Sequence, residues 1–227
     1  MITEPFRPVR GIGVAASVLI GLDAVFSVLD GIASQRSADV VQAYTEGNAT
    51  MDDARAADAF SVMVNLPGLL VTIAAGVVFI VWIYRSRQNA ERVTYPVDHR
   101  HSRGWAIGSW FTPVVNLWYP AQIVQDVWRA FDPAQQDRPL EARDKHGFIA
   151  VWWAAYLAMS YVGGAMGRLA LADAELSVVA TWTWVTTAFT VIAAVLAVVL
   201  IKRLTELQDQ TRPQEFSGPV QVHVPGA

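Results

Sequence analysis

Apolar residues fall along this chain in five blocks, each bounded by charged or turn-forming stretches. The first runs from Gly11 to Ala33 and carries two acids, Asp23 and Asp30. The second, Ala59 to Tyr84, has no charge at all. The third, Gly104 to Gln125, is also uncharged but contains Pro113, Asn116 and Pro120. The fourth covers Gly147 to Gly167 and the fifth Leu176 to Ile201. A helix rises about 1.5 Å per residue, so about 20 apolar residues cross a hydrocarbon core about 30 Å thick. The pattern predicts membrane-spanning helices over about 11–33, 59–84, 147–167 and 176–201. Arg7 and Arg10 precede the first block as in a signal peptide. Asp23 interrupts that block, however, and its apolar run outlasts a typical h-region, so a retained helix is expected.

The third block does not read as a plain span. Its prolines remove backbone donors, and such breaks persist at membrane depth only where protein or water satisfies the freed carbonyls. From Pro120 onward the pattern turns amphipathic. Ile123, Val127, Trp128 and Phe131 share one face, while Gln122, Gln125, Asp126, Arg129 and Asp132 share the other. Pro120 suits the first turn of a helix, and Asp132-Pro133 closes it. Trp105, Trp110, Trp118, Tyr119 and Trp128 are side chains that favour the headgroup level. The segment 104–132 is expected to be a re-entrant or interfacial element, with a fifth span as the alternative.

Charge placement separates these two readings. Lys and Arg gather on the cytoplasmic side of membrane proteins. With four spans, fourteen of the 17 basic residues lie on the side of the N-terminus, and only Arg36, Arg55 and Arg168 lie opposite. With five spans the split is eight to nine, which carries no orientation signal. The fold class expected is all-α, a polytopic bundle of four transmembrane helices plus the Pro-broken Trp-rich element. One membrane domain over 11–210 lies between a cytoplasmic N-terminus (1–10) and a disordered cytoplasmic tail (211–227). Pro213, Gly218, Pro219, Pro225 and Gly226 mark that tail. The acidic stretch 34–59 reads as a solvated loop outside.

Composition excludes several classes. Of 227 residues, 53% are hydrophobic and 16% charged, against about a quarter charged in soluble domains. There is no cysteine, hence no disulfide, thiolate nucleophile or Cys-based metal site. A net charge of −3 with mixed signs does not point to nucleic acid. Fifteen arginines against two lysines suggest a GC-rich genome and so a bacterial inner membrane.

Few residues carry candidate chemistry. Asp23 lies roughly 18 Å along the helix from Gly11, near the middle of the hydrocarbon core, where an acid is costly and faces the bundle interior. It is either a proton or cation relay or a carboxyl hydrogen-bonded to Ser160, Tyr161 or Asn116 on a neighbouring helix. Asp30 lies one heptad further, at the level of Arg168, and the two are expected to pair. Gly13, Ser17 and Gly21, and again Ser160, Gly163, Gly164 and Gly167, recur at spacings that let helices approach closely, within the chain or between copies. His99 and His101 flank Arg100 without a carboxylate at ligand spacing, so they read as a solvated basic loop and not a metal pair. No nucleotide fingerprint, zinc-protease motif or serine elbow occurs, and no catalytic residue, metal site or cofactor is expected.

The stretch Ser102-Arg103-Gly104-Trp105-Ala106-Ile107-Gly108-Ser109-Trp110-Phe111-Thr112-Pro113-Val114-Val115-Asn116-Leu117-Trp118-Tyr119-Pro120 is distinctive. With Trp82, Arg85 and Asn89 before it and Val127-Trp128-Arg129 after it, the chain resembles the bacterial family called domain of unknown function 4328. The resemblance covers about residues 60 to 210. It implies a multi-pass membrane protein with no assigned activity, and transfers no catalytic or ligand residue. The expected role is non-enzymatic, with the Trp-rich element presented to lipid or to a membrane partner protein, and a homo-oligomer also open. The alternative is a small transporter or channel subunit using Asp23 and the broken segment around Asn116.

Overall fold

The computed structural model of the protein describes residues 6–171 and 175–211. Among them it has six α-helices and no strand: α1 (Arg10–Thr45), α2 (Met51–Val93), α3 (Trp105–Gly108), α4 (Tyr119–Phe131), α5 (Gly147–Leu171) and α6 (Leu176–Thr211). Four of these, α1, α2, α5 and α6, are long and apolar enough to cross a membrane. The protein is an all-α membrane bundle. The expected disordered tail, 212–227, lies outside the described residues, as does the turn at 172–174.

α1 is central. It packs antiparallel on α2 along one side and on α6 along the other, and α5 packs against α6. Two close approaches fix α1 against its neighbours. A Cβ on Gly13 would stand 3.1 Å from Thr205 Oγ1 and 3.2 Å from Ile201 Cγ2. One on Gly31 would stand 3.1 Å from the Trp184 ring. Gly21, Gly164 and Gly167 face open space instead. The expected small-residue stripes are thus used at single points and not as continuous helix contacts.

The segment 34–59 is not a loop. α1 continues to Thr45 and α2 begins at Met51, leaving five residues between them. With 36 residues α1 is about 54 Å long, well beyond the hydrocarbon thickness. The extension stays helical because the two helices keep packing: Ala33, Ala38 and Ala57 are buried, Ser37 bonds Ser61 at 3.3 Å, and Arg36 lies over the Phe60 ring. Gly47, with φ +75°, makes the turn, a left-handed conformation that suits glycine. Thr50 and Asp53 then cap α2 in a reciprocal box.

No fifth span forms over 104–125. Its only regular elements are the four-residue α3, a 3-10 turn at 115–117 and the start of α4. The insert between α2 and α5 begins and ends at the same end of the bundle. Asn89 at that end binds both Arg7, before α1, and Gln208, in the last turn of α6, so the two described chain ends lie there too.

Candidate functional site: the clamped insert and the cleft above it

The last turns of α2 are buried on every side: Ser86, Arg87, Gln88, Asn89 and Ala90 have almost no exposed surface. A helix end so rich in polar groups is stable when buried only if its charged groups find partners, and here they do, although Gln88 Oε1 has none. Arg87 donates to Glu91 at 2.7 Å and to the carbonyl of His101 at 3.0 Å. Glu91 also takes the guanidinium of Arg103, whose Nε lies at 2.9 Å. Further along, Arg100 grips Asp126 of α4 through Nη2 at 2.7 Å and Nε at 3.0 Å, and reaches the Gln122 carbonyl at 3.0 Å. His101 bonds Gln122 at 2.6 Å while its ring stacks on Tyr119 at 3.7 Å. Arg143 closes the other end of α4, donating to the Arg129 carbonyl at 2.6 Å, where a cation also complements the helix dipole.

These contacts correct the expected amphipathic arrangement of α4. Its apolar face is buried as expected, with Ile123, Val127 and Phe131 each worth roughly 1.5–3 kcal/mol relative to exposure. Its polar face is buried too, with Gln125, Asp126 and Arg129 all under a tenth exposed. The spacing of polar residues alone marks that face as wet, whereas here Arg100 of the preceding loop and Arg143 of the following one cover it. The loop around His99 is largely exposed, as expected, with Tyr95, Val97, Arg100 and Ser102 all open, but His99 itself is not solvated. His99 is 7% exposed and faces Thr94 at 2.9 Å. Burial, and then the nearby Arg87 cation, push its pKa down to about 4. Burial also lowers the pKa of Arg129, with Arg100 adding to the effect and Asp126 opposing it, and burial lowers that of Arg143.

The middle of the insert, between the two clamped ends, is where apolar side chains stay out. Ile107, Phe111, Val114 and Trp118 are exposed, Phe111 by 73%. Pro113 is exposed at the crest and Pro120 is buried at the start of α4. On the inner side Trp110 packs edge-on to Phe79, Trp153 and Tyr156. Trp105 packs on Tyr119, and Trp153 of α5 donates to the Leu117 carbonyl at 2.8 Å. Asn116 holds the Trp110 carbonyl at 3.3 Å, while its Oδ1 is buried without a partner. Trp82 donates to Thr205 at 3.3 Å and is fully buried, and Arg85 is half-buried on the next turn.

The model of the family described as "Domain of unknown function (DUF4328)" matches residues 45–206. The chain belongs to the DUF4328 family. No curated protein and no solved structure matches it. Within this DUF4328 chain the matched segment contains α2, the whole insert and α5, and ends in the last turns of α6. The clamp therefore lies inside it, and α1 before it.

Above the insert lies a cleft of about 180 Å³. It exists because α5 follows α6 and meets α2 chiefly at its first turns, where Phe79 touches Trp152, leaving the upper parts of α2 and α5 apart. Asp23 lines it and accepts a hydrogen bond from Thr72 of α2. The expected partners Ser160, Tyr161 and Asn116 do not reach Asp23, since α1 and α5 are not packed together and Asn116 lies below Trp110. Nor do Asp30 and Arg168 pair. Asp30 lies near the Asn65 side chain on α2 instead, and Arg168 is exposed at the far end of α5.

Sequence reasoning missed Glu91, Arg103, Arg143, Trp153, Thr72 and Gln208 in this DUF4328 site. For Arg87 and Glu91 a signal existed, since a spacing of four places both on one helix face. The remaining pairs join residues far apart in the chain, which periodicity does not report. Among the described residues no group of three His, Asp or Glu side chains is placed to hold a metal.

Proposed function

We propose that this protein is a non-enzymatic, multi-pass protein of the bacterial inner membrane that presents the crest of its Trp-rich insert to the lipid headgroup region on the cytoplasmic side. The observation that carries the reading is the exposed apolar set Ile107, Phe111, Val114 and Trp118, held between ends fixed by the Arg87 bond to the His101 carbonyl and the Arg100–Asp126 ion pair. A rigid element that leaves large apolar side chains outside marks an interaction surface. Side chains of this type at the end of a spanning bundle fit the boundary between acyl chains and headgroups. The orientation follows from the arginines and lysines, which gather at the insert end.

The natural absence of cysteine allows a direct test. A fluorophore attached to a single cysteine at Val114 in proteoliposomes should be quenched by bromine or spin labels placed near the lipid headgroups, and poorly by aqueous iodide. Strong iodide quenching with no lipid quenching would instead identify a surface open to water and to a protein partner.

A further inference from the structure

We propose that the cleft between α2 and α5 is a binding site for the cationic head of a hydrophobic amine or quaternary ammonium compound that enters from the bilayer. The reading needs only that the bundle sits in lipid, and does not depend on what the insert contacts. Asp23 is the one charged side chain lining the cleft, and it takes its hydrogen bond from the neutral Thr72 hydroxyl. Among the described residues no cation pairs with it. A carboxylate at membrane depth marks a functional site by default, because its desolvation costs so much. A bound cation supplies the missing countercharge.

The other walls suit the same ligand. Tyr156, Trp152, Trp110 and Phe79 form the floor and far side, and their rings touch one another: Phe79–Trp152 at 6.0 Å, Trp110–Tyr156 at 5.8 Å and Trp152–Tyr156 at 6.5 Å between centroids. Aromatic faces attract ammonium groups whose hydration has been stripped, which is how quaternary ammonium ligands are recognised. Apart from Asp23, the α1 and α6 side is lined by Ile20, Ala193, Ala194, Ala197 and Thr190, whose hydroxyl already donates to the Thr186 carbonyl, so no further charge competes for the ligand. Size sets the rest. A volume of about 180 Å³ is smaller than the roughly 300–1,000 Å³ of a site for a drug-sized molecule. It accommodates a head group, and the gap between α2 and α5 lets an apolar tail remain in the membrane.

The test uses full-length protein in phosphatidylcholine nanodiscs titrated with octyltrimethylammonium, followed by calorimetry and intrinsic Trp fluorescence. Wild type should bind it saturably, with octanol and octanoate failing to compete. Asp23→Asn should weaken binding roughly tenfold or more, the scale of one close charge contact in a low-dielectric site. Asp30→Asn, outside the cleft, should leave binding unchanged. If Asp23→Asn does not fold, Tyr156→Leu decides the matter: it keeps the carboxylate, removes one aromatic face and should weaken binding several-fold. Absent saturable binding by wild type, equal competition by octanol, or wild-type affinity in the variant that folds would each overturn the proposal. A Trp response seen only in Asp23-independent fashion would mean simple partition of the probe into lipid, and would overturn it as well.

Discussion

Asn89 of α2 donates to the side-chain oxygen of Gln208 in α6 across 3.2 Å, with both side chains fully buried. The same amide exchanges two hydrogen bonds with the backbone of Arg7, at 2.9 and 2.8 Å, and Gln208 passes its own donor to Ser86 at 3.1 Å. One side chain thus joins the segment before α1, the end of α2 and the end of α6. Replacing Asn89 with Ala strands the Gln208 oxygen in a dry site and takes the partner from the part-buried Arg7 backbone, at roughly 1–3 kcal/mol for each buried group left unpaired. Asn89→Ala should lose roughly 2–4 kcal/mol in a detergent unfolding titration and speed proteolysis ahead of α1, whereas an unchanged midpoint would show that water already serves these groups.

Helix contact at glycine is equally local. Gly13→Val places a branched side chain against Thr205, Ile201 and Trp82 Nε1, all 3.1–3.2 Å from its Cβ. It should cost about 1–3 kcal/mol and disturb the Trp82 emission. Gly21→Ala has nothing within 4 Å and should be neutral or stabilise by about 0.5–1 kcal/mol through helix propensity. Thermal midpoints of the two variants, measured side by side, check this. Equal losses would mean that the whole stripe is a helix interface, such as one between copies.

Acid should loosen the insert. Thr94 donates its hydroxyl to the Ala90 carbonyl at 2.7 Å, so it accepts from His99 Nε2, and the buried Nδ1 has no partner to receive a second proton's N–H. The folded chain keeps this ring neutral down to about pH 4, while an unfolded histidine protonates near 6.5. Between those values the unfolded chain holds the extra proton. Stability therefore falls as pH drops from about 6.5 toward 4, by up to about 1.4 kcal/mol per pH unit, and this contribution is constant above that window. His99→Gln should flatten the slope of midpoint against pH between 6.5 and 4.5. A variant with the wild-type slope would assign the acid sensitivity to other groups.

The spans, the broken third block and the gathering of arginines at one end were legible because lipid contact and translocation both act on composition over long stretches. Helix ends were not. Hydropathy reports how much chain faces lipid, and α1 and α2 continue past that length because Ala33, Ala38 and Ala57 let them stay packed in a polar stretch. The burial of the polar face of α4 was hidden for a related reason. Its pattern is that of a surface helix, and only the fold brings Arg100 to Asp126, 26 positions away. Asp23 stood out as a costly residue, but its partner Thr72 is an ordinary side chain 49 positions distant. The family-like residues divide in the same way: Trp82 and Asn89 tie helix ends together, Trp110 floors the cleft, and Pro113 lies exposed at the crest.

In the proposed topology, residues 104–132 leave and return to one side of the membrane, the cytoplasmic one. Single cysteines at Ser102 and Asp137, both exposed and on either side of the insert, test it in intact bacterial cells and inverted vesicles with a membrane-impermeant maleimide. A cysteine at Asn48, in the turn between α1 and α2, serves as the reference for the opposite face. Both insert positions should label in inverted vesicles and stay protected in intact cells, with Asn48 showing the reverse. Labelling of Ser102 and Asp137 from opposite sides would mean that the insert crosses the membrane.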